Sequence, residues 1–547
     1  MSSTDQTASV GEAFSPNGAA RPGGPGTLRG MLSLDELRQE VEAGAIDTIL
    51  AVFTDMQGRL IGKRIQGEYF LEDVVDHGIE GCNYLLALDM EMDPVPGYEM
   101  ANWEKGYGDF AIVPDMSTLR RIPWLEATAL VVCDVAWDDG SPVAASPRQV
   151  LIAQYDRARA LGFLPMLASE LEFYLYKESY AEAHEKDYRG LTPTIPYILD
   201  YHVLATTMDE PFMHQVRRGM QGAGIPVEFS KGEAWYGQHE LNTRYADAVT
   251  SADRHTIYKN GVKEIAHLNG LAASFMAKPS EKDIGSSCHI HTSLVDPASG
   301  QSAFVDGREE TDVFRHYLGG MRRHIRDLAL LIAPSINSYK RYALESWAPT
   351  SVSWGRDNRT CGFRIVGHGQ SRRIECRIPG ADVNPYLGYA ALMAAGLDGI
   401  ENQTDPGPEL KGNAYEAAEA EPFPSSLREA VDNWEASDFA RQAFGEEVWR
   451  HYRWVNIGAI AFVVLVVISL SLPTVPAGVP WDSSFDATTV NYSPLVLLVG
   501  IIVAIWWQVS AKNRYTGPVR TIDEPDEVTP EPEPPAPPAG AAPTPAS

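Results

Sequence analysis

Arg356 to Pro379 reads RDNRTCGFRIVGHGQSRRIECRIP. Arg356, Arg359, Arg364, Arg372, Arg373 and Arg377 crowd into it together with Glu375. Its end alternates, Arg373-Ile374-Glu375-Cys376-Arg377-Ile378, and a strand sends residues i, i+2 and i+4 to one face. Arg373, Glu375 and Arg377 therefore share a face, opposite Ile374, Cys376 and Ile378. Two guanidinium groups beside a carboxylate suit holding a phosphate or carboxylate while the acid holds a cation. The same pattern also fits a surface strand with a solvated ladder of weak ion pairs.

Working outward, the same spacing recurs. Leu164–Tyr176 (LPMLASELEFYLY) predicts a strand with Glu170 and Glu172 on one face. Acids on an apolar strand are costly unless a metal ion or an arginine partners them. Ser287–Leu294 predicts another strand, with His289 and His291 on one face. Two histidines so placed, beside a Glu pair at equal spacing, point to metal ligation more than a lone histidine does. Between them lie the strand Ile225–Ser230 and then Glu233 and Glu240, across a Gly/Trp/Tyr-rich turn ending GQHEL.

The remaining elements follow from period and punctuation. Ser33-Leu-Asp-Glu36 is a capping box opening a short helix that Gly44 closes. Ile46–Thr54 and Leu60–Ile65 predict a hairpin, and Ala127–Val135 a buried strand; residues 94–121 read as loop. Helices are expected over Pro147–Leu161, Glu210–Ala223, Ser251–Leu268, Asp312–Ile332, Asn384–Glu401 and Glu429–Tyr452, and a further strand over Ala273–Pro279.

The chain has 547 residues and a formal charge of −28, with 45 Lys+Arg against 73 Asp+Glu. No basic run appears, which argues against non-specific nucleic-acid binding. Five scattered cysteines without C-x-x-C spacing predict a reduced, cytosol-facing body. Residues 1–29 read as a disordered tail without the apolar core of a signal peptide. Val455–Leu472 and Leu495–Val509 are apolar runs flanked outside by Arg450, Arg453, Lys512, Arg514 and Arg520, with Asp482 and Asp486 between them. That is the pattern of a two-span hairpin over 453–520 with both ends cytoplasmic, although two buried helices also fit it. Residues 521–547 are Pro/Glu-rich and expected to be disordered.

Taken in order, SELEFYLY, GQHEL, GSSCHIHTSL, NSYKR and RDNRTCGFRI…RRIECRIPG…NPYLGYAALMAAGLDGI resemble the glutamine synthetase superfamily over roughly residues 30–452. The combination is specific where any one motif is weak. The resemblance implies an α+β fold: a β-grasp domain at 30–142, then a catalytic domain at 143–452 with a curved antiparallel sheet and helices. It also implies ring homo-oligomers with active sites between subunits, and ATP-driven transfer of a phosphoryl group to the glutamate side chain followed by attack of an amine. Carried over by motif, Glu172, Glu233 and Glu240 would ligate one divalent ion, and Glu170, His289 and Glu375 another, in a site for two or three Mg²⁺ or Mn²⁺. Arg359, Arg364 and Arg373 would face the transferring phosphoryl group, His291 and Ser293 the ATP, and Tyr245 its adenine. Arg341, Arg377 and Gly285 would bind glutamate.

Three positions depart from the family pattern. Trp347 stands where a glutamate helps bind ammonium, in the run Arg341-Tyr-Ala-Leu-Glu-Ser-Trp-Ala-Pro349, with Glu345 out of register. An aromatic there can pack an alkyl chain or face an alkylammonium. This resembles the branch that joins glutamate to organic amines such as polyamines or ethanolamine. Ammonium remains the alternative substrate, and a membrane-tethered protein binding glutamate and ATP without turnover the alternative of another class. Ile284 replaces an asparagine beside Gly285. Tyr415 lies near a tyrosine that some relatives modify, in different surroundings. Residues 455–520 resemble the last two spans of an amino-acid/polyamine permease, which could anchor a cytoplasmic catalytic body.

Overall fold

The capping box forms as written: Ser33 Oγ accepts from Glu36 N and the Glu36 carboxylate accepts from Ser33 N, opening the helix Leu34–Glu42. The computed structural model describes residues 28–95 and 98–453. All of these lie in one unit, Met1–Ile460, whereas Ala461–Ser547 form a second unit outside the described residues. The expected apolar hairpin and both expected disordered tails fall almost wholly outside them. Among the described residues no helix is long and apolar enough to cross a membrane.

Two sheets organise the described unit, and the architecture is α+β. The first sheet is built from β1 (Thr48–Thr54), β2 (Leu60–Gln66), β3 (Ile79–Cys82), β4 (Asp109–Pro114), β5 (Arg120–Arg121) and β6 (Thr128–Ala136). Its order is β2-β1-β6-β4-β3, with β5 also on β6. β1 and β6 run parallel and every residue of β6 is buried. The turn at Asp55–Gly58 closes through Gly58 N to Asp55 O, with Gly58 at φ +77°, a conformation glycine adopts without strain. The expected loop at 94–121 instead contains β4 and β5. Their residues Phe110 and Ile112 alternate inward, a signal that the surrounding Gly, Tyr and Trp obscured.

The second sheet has nine strands: β7 (Leu164–Tyr176), β8 (Val227–Gly232), β9 (Gln238–Thr243), β10 (Ala246–Asp247), β11 (Ala272–Ser274) and β12 (Cys288–Val295), then β15 (Trp354–Arg356), β16 (Phe363–Val366) and β17 (Arg373–Cys376). A small hairpin of β13 (Val305–Asp306) and β14 (Glu309–Glu310) stands apart. The order β15-β16-β17-β12-β7-β9-β8 is antiparallel except for the edge pair β15–β16. Helices Pro147–Ala160, Ala248–Leu268 and Pro385–Glu401 pack with this sheet in one core.

Three expected elements are shorter or broken. The helix expected over Asp312–Ile332 stops at His324 and resumes only for Ala329–Ile332. The expected strand Ala273–Pro279 ends at Ser274. The last expected helix breaks at Ser437, whose hydroxyl donates to Asp327 Oδ2. After the break the chain returns to the first sheet. Trp434 and Trp449 each donate an indole N–H to the other's carbonyl. His451 Nε2 lies 2.9 Å from Leu86 O, and Tyr452 Oη donates to Ala145 O at 3.0 Å.

The first sheet meets the helices Pro147–Ala160 and Ala248–Leu268 at a buried ionic joint. Arg148 donates to Asp134 and Asp115 at 2.7 Å and to Asp253 at 3.0 Å. Asn384, which caps the Pro385–Glu401 helix, donates across the joint to Asp55 O at 3.0 Å. A guanidinium with three acids keeps its charge in the interior because each of its nitrogens donates to a carboxylate.

Candidate active site

Strand register assembles most of the site. β7 is flanked by β12 and β9, and β12 by β17. His289 sits opposite Glu170, His291 opposite Glu375, Glu172 opposite Glu240, and Glu375 opposite Arg364. Residues paired across neighbouring strands share a face, so acids and histidines far apart in sequence converge on one surface.

The two expected ligand sets come together. Glu170, His289 and Glu375 each offer one ligand atom, all within 4.8 Å of one another, and so do Glu172, Glu233 and Glu240. The solvated-ladder reading of the Arg stretch does not hold: Glu375 is 0% exposed. Its carboxylate accepts from Arg364 Nη1 at 2.8 Å and Arg377 Nη1 at 2.5 Å, and His289 Nδ1 lies 3.7 Å away. Burial pushes the Glu375 carboxyl up, but the charges of His289, Arg377 and His291 together hold it below its ordinary value. Glu170 is likewise raised by burial and then brought well below the carboxylate range by hydrogen bonds from His289 and His291. Its oxygens lie 3.3 Å from His289 Nδ1 and 2.8 Å from His291 Nε2. Burial raises Glu172, whose Oε2 accepts from Ser287 N at 2.8 Å.

These donor sets fit divalent cations. Carboxylate oxygens with one imidazole match hard or borderline ions. In the second set a cation already stands among the acids: Lys231 Nζ pairs with Glu233 and lies 3.5 Å from Glu240 Oε2. His289 keeps a buried Nε2 without a hydrogen-bond partner.

The other expected residues are placed as follows. Arg373 Nε donates to His291 Nδ1 at 3.1 Å, and Ser293 continues the His289–His291 face two residues on. Arg359 is exposed on the loop before β16, and its carbonyl accepts from Arg377 Nε. Tyr245 presents a 58% exposed ring between β9 and β10. Arg341 is fully buried and spends its donors on Ile378 O, Arg377 O and Ser287 Oγ. A Cβ on Gly285 would lie 2.7 Å from Arg341 Cγ, so only glycine leaves that stem its room. Trp347 is exposed at φ +64° in a loop tied back by Ser346 Oγ to Arg341 O at 3.0 Å. Glu345 is exposed in the same loop.

Several residues of the site were missed in the sequence. Gln238 and Asn242 flank the expected ligand Glu240 on one face of β9, a strand in the place where GQHEL reads as the end of a turn. Gln238 Nε2 donates to Glu172 Oε2 at 3.2 Å, and Asn242 Nδ2 to Glu240 Oε1 at 2.6 Å. Period two over GQHELN was the available signal. Asp357, unremarked beside the arginines, accepts from Arg364 Nε at 3.0 Å. Lys231 stands two residues before Glu233 and was also passed over.

The model of the glutamine synthetase catalytic domain matches residues 144–458, and the chain belongs to the glutamine synthetase family. Among its relatives, the γ-glutamylethanolamide synthetase GlnA4 of Streptomyces coelicolor is 51% identical over 77% of this chain and 91% of that protein. A glutamate–isopropylamine ligase of a Pseudomonas species is 39% identical over 78% of this chain and 94% of its own. Of solved structures, a GmaS–ADP complex superposes with a TM-score of 0.68 at 28% identity, over 78% of this chain and 96% of that one.

Proposed function

We propose that the protein is an ATP-dependent ligase that joins the γ-carboxylate of glutamate to an organic amine, releasing ADP and phosphate. The carrying observation is the pair of carboxylate clusters, flanked by Arg364, Arg373 and Arg377, on one sheet face of a chain half-identical to a γ-glutamylethanolamide synthetase.

In this reading Glu172, Glu233 and Glu240 hold one Mg²⁺ or Mn²⁺, and Glu170, His289 and Glu375 another. When bound, such ions neutralise phosphate charge and polarise the γ-phosphoryl group. Arg359, Arg364 and Arg373 offset the charge that develops as the phosphoryl group passes to the glutamate carboxylate. His291 and Ser293 orient the ATP, and Tyr245 offers its ring to the adenine. Arg377 and Gly285 line the glutamate end, with Arg341 bracing Ser287 beneath it. The amine nitrogen then attacks the acyl phosphate, the C–O bond to phosphate breaks, and the amine gives up a proton. Trp347 supplies a flat apolar wall for the amine's carbon chain, where a carboxylate would select a small cation. Polyamines, ethanolamine and isopropylamine share that chemistry.

The division at 142/143, the β-grasp character of the first domain, a ring with shared active sites and a membrane hairpin over 453–520 belong to the same reading. They are supported by the family motifs and by the apolar runs at 455–472 and 495–509.

The test is phosphate release by the purified full-length protein with glutamate, ATP and Mg²⁺, given ammonium, ethanolamine, isopropylamine, putrescine or spermine in parallel, with products read by mass. A γ-glutamyl amide with one organic amine and little glutamine is expected. Glutamine as main product would overturn the role of Trp347. No release with any amine would favour the non-catalytic alternative.

A further inference from the structure

Lys231 faces Glu240 across the β8–β9 ladder. Its ammonium pairs with Glu233, lies 3.5 Å from Glu240 Oε2, and sits 4.8 Å from the centre of the Tyr201 ring. Glu233 and Glu240 are two of the three converging acids, Glu172 being the third. The lysine side chain is 16% exposed, and those of Glu233 and Glu240 are 14% and 4%. This is not a solvated surface pair. A monovalent cation fixed to the chain stands among the carboxylates read above as ligands of a divalent ion.

We infer that Lys231 is a resident counter-ion of this cluster, and that its ammonium must withdraw from between Glu233 and Glu240 before a divalent ion is held there. The inference rests on the reading of the cluster as a metal site. Three converging carboxylates repel one another when partly desolvated, and one ammonium relieves that repulsion. A divalent ion relieves it better, but the two cations repel and compete for the same oxygens. An ammonium on a flexible four-carbon stem can swing away, and the Tyr201 ring, itself 71% exposed, offers it a face on the way out. Displacement subtracts from the metal's apparent affinity, as any competition for a binding-competent state does. Lys231 thus sets how tightly this one ion is held, leaving the Glu170/His289/Glu375 set untouched.

The test is Mn²⁺ binding to the full-length protein by electron paramagnetic resonance of the free ion, with thermal melts in chelator and in Mn²⁺. Lys231→Met is expected to bind one class of Mn²⁺ at least tenfold tighter than the wild type, to melt lower in chelator, and to gain more from Mn²⁺. Equal or weaker binding by that variant would overturn the inference and make Lys231 a support for its neighbours. Lys231→Arg keeps the charge for folding, and its fork can engage both carboxylates. It is expected to bind Mn²⁺ at least threefold more weakly than the wild type, and equal or tighter binding would also overturn the inference. Absence of Mn²⁺ binding in wild type and variants alike would overturn the metal reading itself, and the inference with it.

Discussion

Two trios of carboxylates sit inside this protein, each around one basic side chain. Asp115, Asp134 and Asp253 surround Arg148 at the joint between the first sheet and two helices, and Glu172, Glu233 and Glu240 converge beside Lys231 in the site. The first is closed. Arg148 is 2% exposed, each acid meets its own guanidinium nitrogen or shares one, and Tyr386 Oη adds a bond to Asp253 at 2.7 Å. The second is open. Its cation is a point charge with two acids in reach, and Glu172 turns to Ser287 N and Gln238 instead. The same count of charges thus makes a permanent rivet in one place and an exchangeable seat in the other. What separates them is the geometry of the cation and how completely it satisfies its partners.

The largest expected effect breaks the rivet. Arg148→Met takes the one guanidinium away from three largely buried acids and should cost about 3–5 kcal/mol in urea unfolding. Mn²⁺ should not restore it, because that trio is already shaped to a planar fork. Recovery of stability with Mn²⁺ would erase the distinction between the two trios.

A buried basic group with no acid beside it supplies the contrast. Burial brings His451 down to about 4 from its ordinary 6.5, with only the Leu86 carbonyl opposing. Its folded value is depressed, so the unfolded chain binds the extra proton first. The stability it contributes is whole above pH 6.5 and fades as pH falls toward 4, by about 3 kcal/mol. The difference in unfolding free energy between wild type and His451→Gln should track that window. A constant difference across it would mean that His451 is not held neutral.

Glu240→Gln probes the open trio. ATP-dependent phosphate release should fall at least about a hundredfold, a loss of about 2.7 kcal/mol of transition-state stabilisation. Metal-free stability should move by less than about 1 kcal/mol, because Gln can still accept from Asn242. A large loss of metal-free stability would place this trio with the rivet. The Lys231 substitutions, read through Mn²⁺ affinity, are the finest version of the same comparison.

How much of this was legible in the sequence differs between the trios. Glu170 with Glu172, and His289 with His291, announced a shared face by their spacing of two, since strand alternation is local information. Glu375 among its arginines did the same. Arg148 gave no sign, because Asp115, Asp134 and Asp253 meet it only after the first sheet and two helices have packed. Lys231 was readable in principle, two residues before Glu233, but a lysine beside a Gly-rich turn looks like any solvated charge. Elements failed where period was masked: β4 among glycines and aromatics, and β9 inside an apparent turn. Helices were overextended at His324 and Ser437, where a tertiary hydrogen bond or a packing corner ends them and no Pro or Gly warns of it.

The return of the chain's last described helix to the first sheet has a consequence for how the protein is made. Leu86, Met56 and Ala145, in connections of the first sheet, receive His451 and Tyr452, so the packing around that sheet waits for partners near residue 450. Residues 454–547 follow that point, so at ordinary elongation speeds at least roughly five seconds pass before release. The seam can therefore close while the nascent chain is still attached to the ribosome.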